Sequence, residues 1–279
     1  MDYSHQHFTG ERALFQTSFA TIDHCLFDDG ESPLKESHDF QVTETTFGWK
    51  YPLWYSHGFQ VADSTFLEMG RAGIWYSYDF RFSKIHFIAP KGFRKSHDFV
   101  LDHVEFTDAL ETLWWCHDFV LTDIKANNGP YFCAGSHHFK IERLDLVGNY
   151  AFDGVHDVEV SSSRLITKDA FWNSKNVVVR DSYIEGEYFG WNSENITLIN
   201  CEIKSHQGFC YMKNITLIDC KVVDSDLCFE YCENIDATIT TKVDSIKNPI
   251  SGRIVVKEVG ELIRDDKNLD MDATEIIIG

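Results

Sequence analysis

The residues best suited to chemistry recur at even spacing. Trp54, Trp75, Arg94, Trp114, Trp172 and Trp191 hold one position of a repeat, and they include five of the seven tryptophans. The next position holds Tyr55, Tyr76, Lys95 and Trp115, then Asn173, Asn192, Tyr211 and Tyr231. Flat rings repeated along one face can stack on sugar rings, with Arg94, Asn173 and Asn192 as polar contacts. We take Trp54, Trp75, Arg94, Trp114, Trp172 and Trp191 as candidate ligand-binding residues, with an oligosaccharide as the ligand. The competing reading is that one of the two columns points inward and fills a wide core. Adjacent residues of a regular strand point to opposite faces, so one column is expected outside or at a bend.

A second set is imidazole. His38, His57, Tyr78, His97, His117, His137 and His156 recur in register and take six of the thirteen histidines. They are expected to face outward as a stacked ladder; the sharper alternative is a metal or anion site. We assign them no metal.

These columns are spaced by a returning phrase. It reads Ser37-His38-Asp39-Phe40, Ser96-His97-Asp98-Phe99 and Cys116-His117-Asp118-Phe119, and drifts to Ser193-Glu194-Asn195-Ile196. Its copies lie 19–21 residues apart, the mark of a solenoid. After each phrase comes a period-2 alternation, as in Ile196-x-Leu198, which is a strand signal. A third apolar column, including Leu34, Leu53, Ile74, Phe93 and Leu113, lies three before the serine. Three short strands per repeat make one rung of a parallel β-helix, and no rung is stable alone. The expected fold is all-β, a single-stranded parallel β-helix of about eleven rungs. We expect one domain over 1–279: an N-terminal cap at 1–17, rungs over 18–242 and a C-terminal cap at 243–279.

Two after each serine stand Asp39, Gly58, Asp79, Asp98 and Asp118, then Asn176, Asn195, Asn214 and Asn234. Asn and Asp tolerate left-handed backbone and suit tight turns. Stacked, each Asn is expected to bond backbone in its own turn and the next. Asn195-Ile-Thr and Asn214-Ile-Thr match the glycosylation sequon, but they belong to this turn column, and we reject the modification.

With 25 Lys and Arg against 44 Asp and Glu, the net charge is −19. Such a surface repels nucleic acid and anionic membrane, so neither is an expected partner. Met1–Arg12 has no apolar signal core, and no run approaches the ~20 apolar residues of a membrane span. The eight cysteines follow the repeat and form no C-x-x-C pair, so they read as small core residues. A reducing cytoplasm is the expected location. Oligomeric state is left open.

The stretch Ser193-Glu-Asn195-Ile-Thr-Leu198-Ile-Asn-Cys201-Glu-Ile203 resembles the pectate-lyase-like right-handed β-helix superfamily. The whole-chain pattern, with its Ser-His-Asp-Phe rungs and Phe171-Trp172-Asn173-Ser174, looks like the DUF3737 proteins, an uncharacterised bacterial family. The resemblance implies a right-handed parallel β-helix and brings no catalytic residues. The polygalacturonase motifs N-T-D, D-D, G-H-G and R-x-K do not occur as a set. Pectate lyases use clustered acids for Ca²⁺ with a catalytic Arg or Lys; Asp153, Lys168, Asp169, Glu185 and Glu187 could supply such a set on neighbouring rungs. Nucleotide-binding, zinc-protease and serine-hydrolase motifs are missing. With no recognisable catalytic motif, enzyme activity is left open; no catalytic residue, cofactor or metal is assigned.

The leading reading is therefore a carbohydrate-binding β-helix with its aromatic face across 54–115. The alternatives are an acidic interaction, scaffold or DNA-mimic protein, and a polysaccharide lyase or hydrolase with non-standard acids.

Overall fold

The computed structural model describes residues 1–270 and 272–279. They form an all-β fold, a parallel β-solenoid of about 15 turns. They divide into two compact units, Met1–Asp145 and Leu146–Gly279. No helix among them is long and apolar enough to cross a membrane.

In the first unit the returning phrase opens each turn. His38–Thr43, His57–Phe66, Tyr78–Phe87, His97–Phe106 and His117–Ala126 are strands. They pair in parallel with like residues opposed: His38↔His57↔Tyr78↔His97↔His117 and Phe40↔Phe59↔Phe80↔Phe99↔Phe119. The phenylalanines are inward and form a stacked core, with centroids 5.0 Å apart for Phe40–Phe59 and 4.7 Å for Phe80–Phe99.

The serine column is wholly buried. Ser77 Oγ donates to the Leu53 carbonyl of the preceding turn (2.6 Å) and accepts the Ser56 N–H (3.1 Å). Each hydroxyl thus satisfies two backbone groups where the chain bends and the ladder cannot reach, and buried groups of this kind must be paired.

The second unit keeps this plan with aliphatic columns. His156↔Lys175↔Glu194↔Lys213↔Glu233 run in parallel register. Val158, Val177 and Ile196 lie inward, and Ser174 and Ser193 repeat the serine bonds.

The structure differs from expectation in three places. Asp2–Ser4 pairs with Ser18–Asp23, and Thr274–Ile278 pairs with Gly252–Ile263. The terminal segments thus carry turns of the same kind, which raises the count above eleven. Neither aromatic column fills the core; Leu53, Ile74, Phe93 and Leu113 do. Tyr55 and Tyr76 sit in left-handed backbone (φ 56° and 59°), so the chain bends there and both columns stay outside. Lastly, the asparagines do occupy left-handed turns, but their side chains are exposed and bond each other: Asn195 Nδ2 donates to Asn176 Oδ1 (2.8 Å) and Asn214 Nδ2 to Asn195 Oδ1 (2.7 Å).

Candidate functional site

In the first unit the candidate residues Trp54, Trp75, Arg94 and Trp114 come together as one stack. Trp54 and Trp75 lie 5.1 Å apart at 9°. The Arg94 guanidinium sits between two indoles, 4.5 Å from the Trp75 centroid and 4.8 Å from that of Trp114. Glu111 holds it in plane (Nη2 to Oε2, 2.7 Å). Each indole N–H is also used: Trp54 donates to the Ala72 carbonyl, Trp75 to Lys91 and Trp114 to Tyr131. Beside this stack Tyr55 and Tyr76 lie 4.9 Å apart at 4°, and Lys95 Nζ stands over both Tyr76 and Trp115. Rings stacked this way turn their faces to each other and their edges to solvent.

The imidazoles of the same unit form the outward ladder expected of them. His97–His117 and His117–His137 stack at 4.8 and 5.0 Å. His97 and His117 turn Nδ1 to the aspartate beside them, Asp98 (2.8 Å) and Asp118 (2.7 Å), whereas His137 Nδ1 faces His138 Nδ1 (3.2 Å). The bond from His117 holds the Asp118 carboxyl below the usual range. At His57 the neighbour is Gly58 instead, and the buried Nδ1 has no partner. Asp102, His103 and Asp123 place ligand atoms within 4.8 Å of one another. Arg143 already grips Asp123 through Nε and Nη2 (2.6 and 2.9 Å), which fills the place a cation would take.

Trp172 and Trp191, in the second unit, are arranged differently. They stand one turn apart, yet no ring contact joins them among the described residues. Trp172 meets Tyr150 at 5.8 Å and 39°, and Trp191 stacks on Tyr211 at 5.5 Å and 24°. Among the described residues, neither indole N–H makes the carbonyl bond that fixes the tryptophans of the first unit. The stack is interrupted, and polar groups gather at the gap. Asp153 holds the tryptophan position of the preceding turn, two before Val155. Asn173 Nδ2 reaches toward it (3.4 Å to Oδ1), and Asn192 Nδ2 donates to Asn173 Oδ1 (2.9 Å). Gly154, next in the chain, has φ +66°, and a Cβ there would touch nothing within 4 Å.

Asp169 lies beneath this surface. It is 3% exposed and sits on the two-residue strand Asp169–Ala170, paired with Tyr188 and Phe189. Its Oδ1 has no hydrogen-bond partner. Burial pushes the carboxyl up to about 7, and the charge of Asp153 adds to the rise; the peptide N–H groups of Gly190 and Trp191 pull the other way. Burial also raises Asp153. Perturbed carboxyls of this kind concentrate at functional sites.

The five-residue acid and lysine set of the sequence therefore divides. Asp153 and Asp169 share one field. Lys168 pairs with Glu187 (3.5 Å) and lies over the Tyr150 ring. Glu185 turns away to Tyr183 Oη (2.7 Å) and Lys204 (3.4 Å). The sequence reading passed over the place of Asp153 in the tryptophan column, although counting two back from Val155 finds it.

Residues 1–277 match the model of a family described as a protein of unknown function, DUF3737. No curated protein matches the chain. Among solved structures the chain is similar to PfbA, a surface adhesin of Streptococcus pneumoniae, at 10% identity and a TM-score of 0.44, over 93% of this chain and 82% of that one. It is similar to the A-module of the mannuronan C-5 epimerase AlgE4 of Azotobacter vinelandii at 8% identity and 0.31, over 98% and 86%. It also resembles HetL, a pentapeptide repeat protein of the cyanobacterium Nostoc, at 8% identity and 0.27, over 79% and 92%. At these values the likenesses carry no functional argument.

Proposed function

The chain belongs to the DUF3737 family, and from that premise we propose that it binds carbohydrate at the interrupted aromatic face of Trp172 and Trp191. One observation carries the reading: these two indoles lack both the mutual stacking and the N–H bonds that tie down Trp54, Trp75 and Trp114. A sugar ring needs an apolar face to lie on and polar groups at its rim. Trp172 offers the first, with Trp191, itself stacked on Tyr211 and packed against Tyr188, beside it; Asp153, Asn173 and Asn192 offer the second. The 54–115 face that the sequence favours has its ring faces already covered.

An acidic mimic of nucleic acid is supported less well. The row Asp39, Asp79, Asp98 and Asp118 is broken by Gly58, and three of its four carboxylates are turned to neighbouring imidazoles.

The test is a titration of a glycan panel followed by tryptophan fluorescence. Binding with Kd in the millimolar-to-micromolar range, about −4 to −8 kcal/mol, is expected for wild type and for Trp75→Phe. It should be lost in Trp172→Ala. No response to any glycan, or an unchanged response from Trp172→Ala, removes the reading.

A further inference from the structure

We infer that this site takes an amino sugar with a free amine, its ammonium group seated against Asp153 with Asp169 behind it. The inference rests on the carbohydrate reading and names its ligand class.

Asp169 Oδ1 is buried and unpartnered. The groups around it are Asp153 from the preceding turn, Lys168 beside it in the chain, Glu187 and Tyr188 on the following strand, and the Cys210 thiol, itself pushed up to about 12 by burial. The one cation among them, Lys168, faces Glu187 and the Tyr150 ring. Among the described residues, no cationic side chain is therefore turned to the field that Asp153 and Asp169 share. A neutral sugar would satisfy the indoles and amides and leave that field as it is. A ligand ammonium answers it, since a buried carboxylate is costly unless it is paired. The indole faces favour the same charge, and the net charge of −19 draws cations toward the protein.

Access fits this arrangement. Asp153 is only part-buried, and the open space at Gly154 adjoins it. The ligand thus meets Asp153 directly, while Asp169 responds through the field. Asp169 holds its proton until about pH 7, so an arriving ammonium drives that proton off.

The experiment is calorimetry at pH 6, where the ligand amine is protonated, in two buffers of different ionisation enthalpy. Glucosamine tetramer and its fully N-acetylated counterpart are titrated into wild type, Asp153→Asn and Asp169→Asn. The free-amine tetramer should bind roughly tenfold tighter and release about half a proton or more. Asp153→Asn should lose the preference. Asp169→Asn should bind without releasing a proton. Equal affinity for the two tetramers, a preference that survives in Asp153→Asn, or tight binding without proton release from wild type overturns the inference while the carbohydrate reading stands. No binding of either tetramer overturns the inference alone, and no binding of any glycan in the panel overturns both.

Discussion

Asp169 is the residue whose environment departs most from what water would give it. The unfolded carboxyl loses its proton near 3.8 and the folded one near 7. Between those values the folded chain binds more protons, so this group's contribution to stability falls as pH rises from about 4 to 7. Below about 4 both states are protonated, and the penalty is absent. A shift of about three units corresponds to at most about 4 kcal/mol. Asp169→Asn removes the titration. Urea unfolding should therefore find the variant gaining on wild type between pH 5 and pH 8, by an amount on the order of 2–4 kcal/mol. A wild-type-minus-variant difference that stays flat over that range would show that the carboxyl is solvated or paired.

The strands and the corners between them are held by two kinds of side-chain ladder, and their worth should differ. Ser193 Oγ donates to the Phe171 carbonyl and accepts the Ser174 N–H, all of it buried. Ser193→Ala leaves the Ser174 N–H and the Phe171 carbonyl only their long bond to each other (3.3 Å) and should cost about 1–3 kcal/mol. Asn195, two residues later, bonds other asparagines in water; Asn195→Ala should cost less than about 1 kcal/mol. Equal losses from the two variants would mean that the amide ladder carries as much of the turn as the hydroxyls do. Arg94 belongs to this scale as well. Its planar guanidinium fills a slot between Trp75 and Trp114, and a lysine cannot stack there. Arg94→Lys should lose about 1–2 kcal/mol by the same measurement. A loss within error would show that any cation serves.

The molecule carries its excess negative charge on turns that lie only a strand spacing apart. Cross-turn pairs answer part of it, as in Lys125–Glu105 (2.9 Å) and Lys242–Glu258 (2.9 Å). The remainder repels itself, since 44 acids face 25 bases. Raising ionic strength from about 10 to 150 mM shortens the screening length from about 30 to 8 Å. The melting temperature should then rise by a few degrees, about 2–5 °C. A fall would mean that the cross-turn pairs outweigh the net repulsion.

How much of this is legible in the sequence follows from the geometry of a repeat. In a solenoid each turn touches only its neighbours, so a residue 19–21 positions on is a neighbour in space. The sequence alone therefore determined the parallel strands, the inward serine and phenylalanine columns, the outward imidazole ladder and the buried cysteines. It could not decide where the chain bends. Tyr55, Tyr76, Lys95 and Trp115 take left-handed backbone, which residues of their type seldom adopt, and that bend keeps both aromatic columns outside. It could not decide whether the asparagines bond inward or to each other, because the same turn conformation allows both. Nor could it separate Trp75, covered on its face, from Trp172, or Asp169, buried with one oxygen unpartnered, from Asp181, exposed on the surface. Those differences depend on how side chains of adjacent turns meet across a few ångströms, which equal spacing along the chain does not specify.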